Sequence, residues 1–155
     1  DAAVGGDRVA GGNGGNGVMI KFTVPGQPIG KQRPRFGNGH AYTPKATVDY
    51  ERKIEDACLA AMKQQDILAY EPGEALAVTV VAYCRIPASW SKRKQHQAAA
   101  GVIAPTSKPD ADNVLKTVMD ACNGIAYDDD KQVVAAEVKK RYSTDPHITV
   151  EIRRL

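Results

Sequence analysis

Apolar and polar residues alternate from Met19 to Val24, the pattern of a strand with one face buried. The next 18 residues, PGQPIGKQRPRFGNGHAY, are rich in turn formers. They lead to Thr43-Pro44, read as an N-cap followed by proline at the first helical position. From there the spacing changes to that of a helix running to about Gln65: Tyr50, Ile54, Ala57, Cys58, Ala61 and Met62 recur on one face, with charged residues around the rest of the axis. The valine-rich stretch Ala75 to Ile86 ends before Pro87 and reads as a central strand buried on both faces. Ser91 to Ala100 reads as a short polar helix closed by Gly101. Pro105 to Pro109 is a loop, and Asp112 to Cys122 is a helix closed near Gly124.

Alternation returns in Gln132–Tyr142, through Val134, Ala136 and Val138, and again in Ile148, Val150 and Ile152. With only the Asp145-Pro146 turn between them, these two strands are expected to pair as a hairpin. The order is β-α-β-α-α-β-β. It predicts an α+β single domain, a mixed sheet of about four strands packed against two to three helices. Residues 1–18, DAAVGGDRVAGGNGGNGV, hold too little apolar surface to offset their ordering entropy. They are read as a flexible Gly-rich leader, with Met19 as a native start and 19–155 as the folded domain.

Composition leaves this picture unchanged: at 155 residues, 43% hydrophobic and 25% charged, the chain has the usage of one ordinary globular domain. Cys58, Cys84 and Cys122 are odd in number and form no CxxC pair. They read as reduced, buried thiols rather than a disulfide framework or zinc site. No apolar run reaches the length of a membrane span and no secretory core opens the chain, so a cytoplasmic location is expected.

Charge does change the picture. Of 18 acidic and 21 basic residues, six aspartates and one lysine fall between Asp110 and Asp130, giving that window −5 and the remainder +8. Crowded carboxylates repel one another unless a cation or a proton relieves them, so an acidic knot on a basic body suggests a caged cation facing a polyanion.

Helical phase divides the knot. Asp112, Lys116 and Asp120 fall on one face of their helix, opposite Val114, Leu115, Val118, Met119 and Cys122. Asp110 lies just before the first turn, and Asp128, Asp129 and Asp130 lie in the loop before Gln132. If that loop folds back, two to four carboxylates would suit Mg²⁺, or Mn²⁺ in its place, and the matching reaction is phosphodiester hydrolysis. Lys116 would neutralise charge developing on a phosphate oxygen. Plainer roles exist for each residue alone: an Asp112–Lys116 helical pair of about 0.2–0.5 kcal/mol, a helix cap at Asp110 or Asp112, a solvated turn at Asp128 to Asp130.

The run KPDADNVLK, then MDACNG, then YDDDKQV resembles the signature of RusA-type Holliday-junction resolvases: a basic residue before D-x-D-N-L-x-K, then D-A-L-N-G, then D-D-x-Q-V. Upstream, GQPIGKQRPRF and AYTPKATVDYERKI are similar to the corresponding region of phage and bacterial members. Val114 and Cys122 depart from the family's leucines, both on the apolar face. The resemblance implies catalytic Asp110, Asp112, Lys116 and Asp130, with the three aspartates as metal ligands. Asn113, Asp120 and Asp129 would be supporting residues, and Asp128 is additional. It further implies Mg²⁺-dependent cutting of four-way DNA junctions by a homodimer, with symmetric nicks in opposed strands during recombination and repair.

Two basic segments would grip phosphates: Lys31, Arg33 and Arg35 in the turn-rich loop, and Lys92, Arg93 and Lys94 after Trp90, for which a solvated basic face is an equal alternative. Trp90 and Phe36 are expected mainly to pack, with stacking on unpaired bases as the alternative. His40, His96 and His147 lack ligand spacing, and no P-loop, G-x-G-x-x-G or G-x-S-x-G pattern is present, so no nucleotide cofactor is expected. The first reading is therefore a metal-dependent, structure-selective DNA endonuclease. The runner-up is a non-catalytic binder of branched nucleic acid with a vestigial acidic site, and a third reading is a Mg²⁺ phosphohydrolase acting on small phosphates.

Overall fold

The computed structural model describes residues 18–155. The leader expected over residues 1–18 therefore falls, up to Gly17, outside the described residues. In chain order the elements are β1 (Met19–Pro25), β2 (Arg35–Gly37), β3 (His40–Tyr42), α1 (Lys45–Gln65), β4 (Leu76–Arg85), α2 (Lys92–Ala99), α3 (Ala111–Cys122), a 3-10 turn (Asp130–Gln132), β5 (Val133–Ser143) and β6 (His147–Arg154). Over the described residues the fold is α+β, a mixed four-stranded sheet and three helices, as the alternation and helical spacing predict.

Strand order is β1-β6-β4-β5. Central β4 runs parallel to β5 and antiparallel to β6, so the expected β5–β6 hairpin does not form. Leu76, Val78, Val80 and Ala82 of β4 are all buried, and β4 gains hydrogen-bonding partners on both edges only by inserting between β5 and β6. The Thr144–Pro146 connection has to cross two strand spacings, roughly 10 Å, which four Cα steps reach. β5 is consequently an edge strand. Ala136 and Val134, expected on its buried side, are exposed, and Val138 is half-buried.

A second departure lies in the turn-rich segment. β2 and β3 pair with each other, Phe36 opposite Ala41, around Asn38-Gly39, whose φ values of 50° and 84° are the two positive angles a type I′ turn requires. The Asn-Gly signal was present in the sequence, but each strand is only three residues long.

α1 and α3 cover one face of the sheet. Tyr50, Ile54, Cys58 and Met62 from α1 meet Val114, Val118, Ala121 and Cys122 from α3 over Ile20, Phe22, Val78, Val150 and Ile152. The opposite face carries Lys21, Thr79, Thr149, Glu151 and Arg153. The helix starting at Thr43-Pro44 begins one residue later than expected: Pro44 is itself the cap, accepting from the amides of Thr47 and Val48. All three cysteines are free and buried. Among the described residues no helix is long and apolar enough to cross a membrane.

Candidate nucleic-acid interface and acidic site

α3 begins one residue before the position expected from sequence, at Ala111, with Asp110 at its N-cap. Its buried face holds Val114, Thr117, Val118, Ala121 and Cys122. Thr117 escapes a hydrophobic pattern because it is polar, yet its hydroxyl donates to the Asn113 carbonyl and so can be buried. Asp112 and Lys116 are exposed and Asp120 is half-buried on the other face. Carboxylates at the N-cap, Asp110, and at the second helical position, Asp112, also suit the positive end of the helix dipole.

The loop from Gln27 to Arg35 lies against the start of α3. The Lys31 amide donates to the Asn113 carbonyl at 3.0 Å. The contact is close enough to need glycine at position 30, since a Cβ there would lie 2.9 Å from Asn113 Cβ and 3.3 Å from Pro109 Cβ. Between this loop and α3 lies a groove of about 650 Å³, lined by Lys31, Arg33, Arg35 and Lys108 together with Asp110 and Asn113. Lys92, Arg93 and Lys94 line no part of it. They sit exposed on α2, where Lys94 lies 4.0 Å over the Trp90 ring. Trp90 also meets Tyr142 edge-on, the packing role expected of it. Phe36 departs from expectation: at 83% exposure it packs against almost nothing, at the rim of the basic loop.

Lys116 is 61% exposed and turns to Asp120, with Nζ 3.6 Å from Oδ2, rather than pairing with Asp112. The same Asp120 oxygen is 3.2 Å from the Lys31 ammonium, which also lies 2.6 Å from Glu51 Oε2 on α1. Burial alone would lower the Lys31 pKa, but hydrogen bonds and charge from Glu51 and Asp120 outweigh it and the net direction is up. Glu51 is the site-forming residue that sequence reasoning missed; nothing local marks one glutamate among the charges of α1.

The acidic loop folds back onto α3. Gln132 is buried and holds it. Its amide nitrogen donates to the carbonyls of Glu71 and Glu74, and its amide oxygen accepts from the backbone of Asp128 and Asp129. The Asp129 side chain caps the 3-10 turn by accepting from the Lys131 amide. Asp130, next along, has its pKa raised by burial first, then by Asp129 and Asp120, with Lys116 opposing. Beyond its neighbour Asp129, the charges acting on Asp130 come from the Lys116–Asp120 part of α3. Asp128 is exposed.

Among the described residues no three or more His, Cys, Asp or Glu side chains are grouped closely enough to enclose an ion. Mg²⁺ asks for less, since one or two carboxylates together with water and substrate phosphate hold it. The donors present are carboxylate oxygens beside a basic groove, without thiolate or imidazole, and that chemistry fits a hard cation.

An α+β protein whose acidic helix entry shares a groove with arginine and lysine side chains has the charge pattern of one that meets a phosphate polyanion. The Endodeoxyribonuclease RusA family model matches residues 25–153, and the chain belongs to that family. It is also 36% identical over 142 residues to YqaN of Bacillus subtilis (strain 168), a protein itself named as uncharacterized, spanning 88% of this chain and 96% of that one. Family membership implies endodeoxyribonuclease activity on DNA.

Proposed function

We propose that this protein is a Mg²⁺-dependent endonuclease that resolves four-way DNA junctions as a homodimer, with Asp110, Asp112 and Asp130 as metal ligands. The observation that carries the reading is the groove in which Arg33, Arg35 and Lys108 share the lining with Asp110, so that a phosphate bound there would lie beside the acidic entry of α3. When bound, the metal would supply an activated water and charge neutralisation at the phosphate. Arg33, Arg35 and Lys108 hold the DNA backbone through charge and so confer affinity without sequence preference. Lys116, exposed and, among the described residues, tethered only to Asp120, can meet negative charge developing on a phosphate oxygen. Phe36 offers a bare aromatic face beside the groove, suited to stacking on an unpaired base at a branch point. Two copies related by a two-fold axis present two equivalent sites to two opposed strands. Substrate DNA and three free thiols suit the cytoplasm.

The test is a strand-labelled four-way junction incubated with Mg²⁺ and either the unmodified chain or Asp112→Asn. Paired nicks in opposed strands, lost in the variant and accompanied by a dimer in analytical ultracentrifugation, are expected. Tight junction binding without nicks would instead favour a non-catalytic branched-DNA binder. Equal hydrolysis of a free nucleotide would point to a small-phosphate hydrolase.

A further inference from the structure

We propose that Lys31 and Glu51 are positioning residues that set the place of Lys116 through a carboxylate the two lysines share, Asp120, rather than residues that hold DNA. The inference rests on the endonuclease reading above.

Three elements meet at one ammonium. Lys31 comes from the groove loop, Glu51 from α1 and Asp120 from α3; Lys31 Nζ lies 2.6 Å from Glu51 Oε2 and 3.2 Å from Asp120 Oδ2. The Lys31 side chain is only 23% exposed, against 61% for Lys116. A lysine placed to grip DNA would keep its ammonium in solvent, whereas this one has both nearby carboxylates already committed to it.

Asp120 Oδ2 also receives Lys116 at 3.6 Å. One oxygen thus faces two ammonium groups, and Glu51 supplies the second negative charge that balances the pair. Without Lys31, Asp120 would be free to draw Lys116 closer or to swing toward solvent. Without Glu51, Lys31 would lose its shorter contact and lean on Asp120 alone. The Lys31 backbone is fixed as well, through its amide bond to the Asn113 carbonyl, so the strut ties the seating of the DNA groove to the reactive face of α3. Small displacements of a charged group in an active site are costly, about 10²-fold for 1 Å.

Steady-state cleavage of the four-way junction separates positioning from phosphate contact. Lys31→Met is expected to lower kcat by roughly 10- to 100-fold while leaving KM and the salt dependence of binding near their original values. Lys31→Arg should restore most of the loss. Glu51→Gln should act in the same direction, and the double variant should be no worse than Lys31→Met alone. A raised KM with a salt slope reduced by about one would make Lys31 a phosphate ligand and overturn the proposal, as would an unchanged kcat. Lysine ammonium ¹H–¹⁵N NMR supplies a readout independent of cleavage. The Lys31 signal should exchange slowly with water, and the Lys116 signal should move in folded Lys31→Met. A stationary Lys116 signal sinks the strut even if the unmodified chain cuts no junction; that latter failure counts against the endonuclease reading alone.

Discussion

The ammonium of Lys140 lies 2.9 Å from the carbonyl oxygen of Pro109, the residue immediately before Asp110. It donates a second hydrogen bond to the Ser107 carbonyl at 2.7 Å, so β5 ties down the loop that delivers the acidic entry of α3. Replacing Lys140 by methionine keeps the stem and removes both bonds. We expect a loss of about 1.5–3 kcal/mol of stability, the range for hydrogen bonds to charged groups, and a single-turnover cleavage rate that falls more than junction affinity does. Urea unfolding with an unchanged m-value and rapid-quench kinetics check the two parts. A full rate with lowered stability would make Lys140 purely structural.

Gln132 is the buried hub of the acidic loop, serving two carbonyls and two amides at once. Gln132→Leu would leave those backbone groups to find water or go unpaired, at about 1–3 kcal/mol for each that stays buried. The variant should therefore lose several °C in Tm, and hydrogen exchange at Asp128 and Asp129 should quicken. Exchange rates equal to those of the unmodified protein would refute this role.

Phe36 buries almost nothing, so Phe36→Ala should change stability by no more than about 0.5 kcal/mol. Junction affinity should fall by about 1–3 kcal/mol if the ring stacks on a base, and Phe36→Trp should keep it. Fluorescence of 2-aminopurine at the branch point gives a direct signal. An affinity unaltered by Phe36→Ala would leave the exposed ring without a DNA contact.

The carboxyl of Glu74 is held below its ordinary 4.5 by its hydrogen bond from Arg154, aided by the Glu71 amide. A depressed acid binds fewer protons in the folded than in the unfolded chain. Its stabilising contribution is therefore fully present above about pH 4.5 and is lost as pH falls through the folded value. Glu74→Gln should flatten the acid limb of a Tm-against-pH profile below pH 4.5 and cost a constant amount above it. An acid limb as steep as the original would contradict the assignment.

How far the site was legible depended on sequence distance. Asp110, Asp112 and Lys116 are within six residues on one helix, and the 3.6-residue period was enough to place Lys116 and Asp120 opposite the core. Asp129 and Gln132 stood in the same short run, but which aspartate caps the turn depended on backbone angles. Lys31, Glu51 and Asp120 are separated by 20 and 69 positions in the numbering of the chain, and no local pattern announces that the three charges meet. Lys31 accordingly reads from sequence as one more basic residue of a DNA-binding loop.

The strands divide in the same way. Alternation and valine content determined that β1, β4, β5 and β6 exist and that β4 is central, because side-chain period and burial are local properties of a strand. Proximity in sequence then favoured a β5–β6 hairpin, whereas the folded protein places β4 between them, since only a sheet assembled from distant segments satisfies both hydrogen-bonding edges of its most buried strand. By itself the sequence determined the class of fold, the apolar and acidic faces of α3 and the family motif. Tertiary structure alone decided the strand order, the groove that brings the basic loop and Asp110 together and the shared hold of Lys31 and Lys116 on Asp120, because each arises where side chains far apart in the chain are brought within a few ångströms.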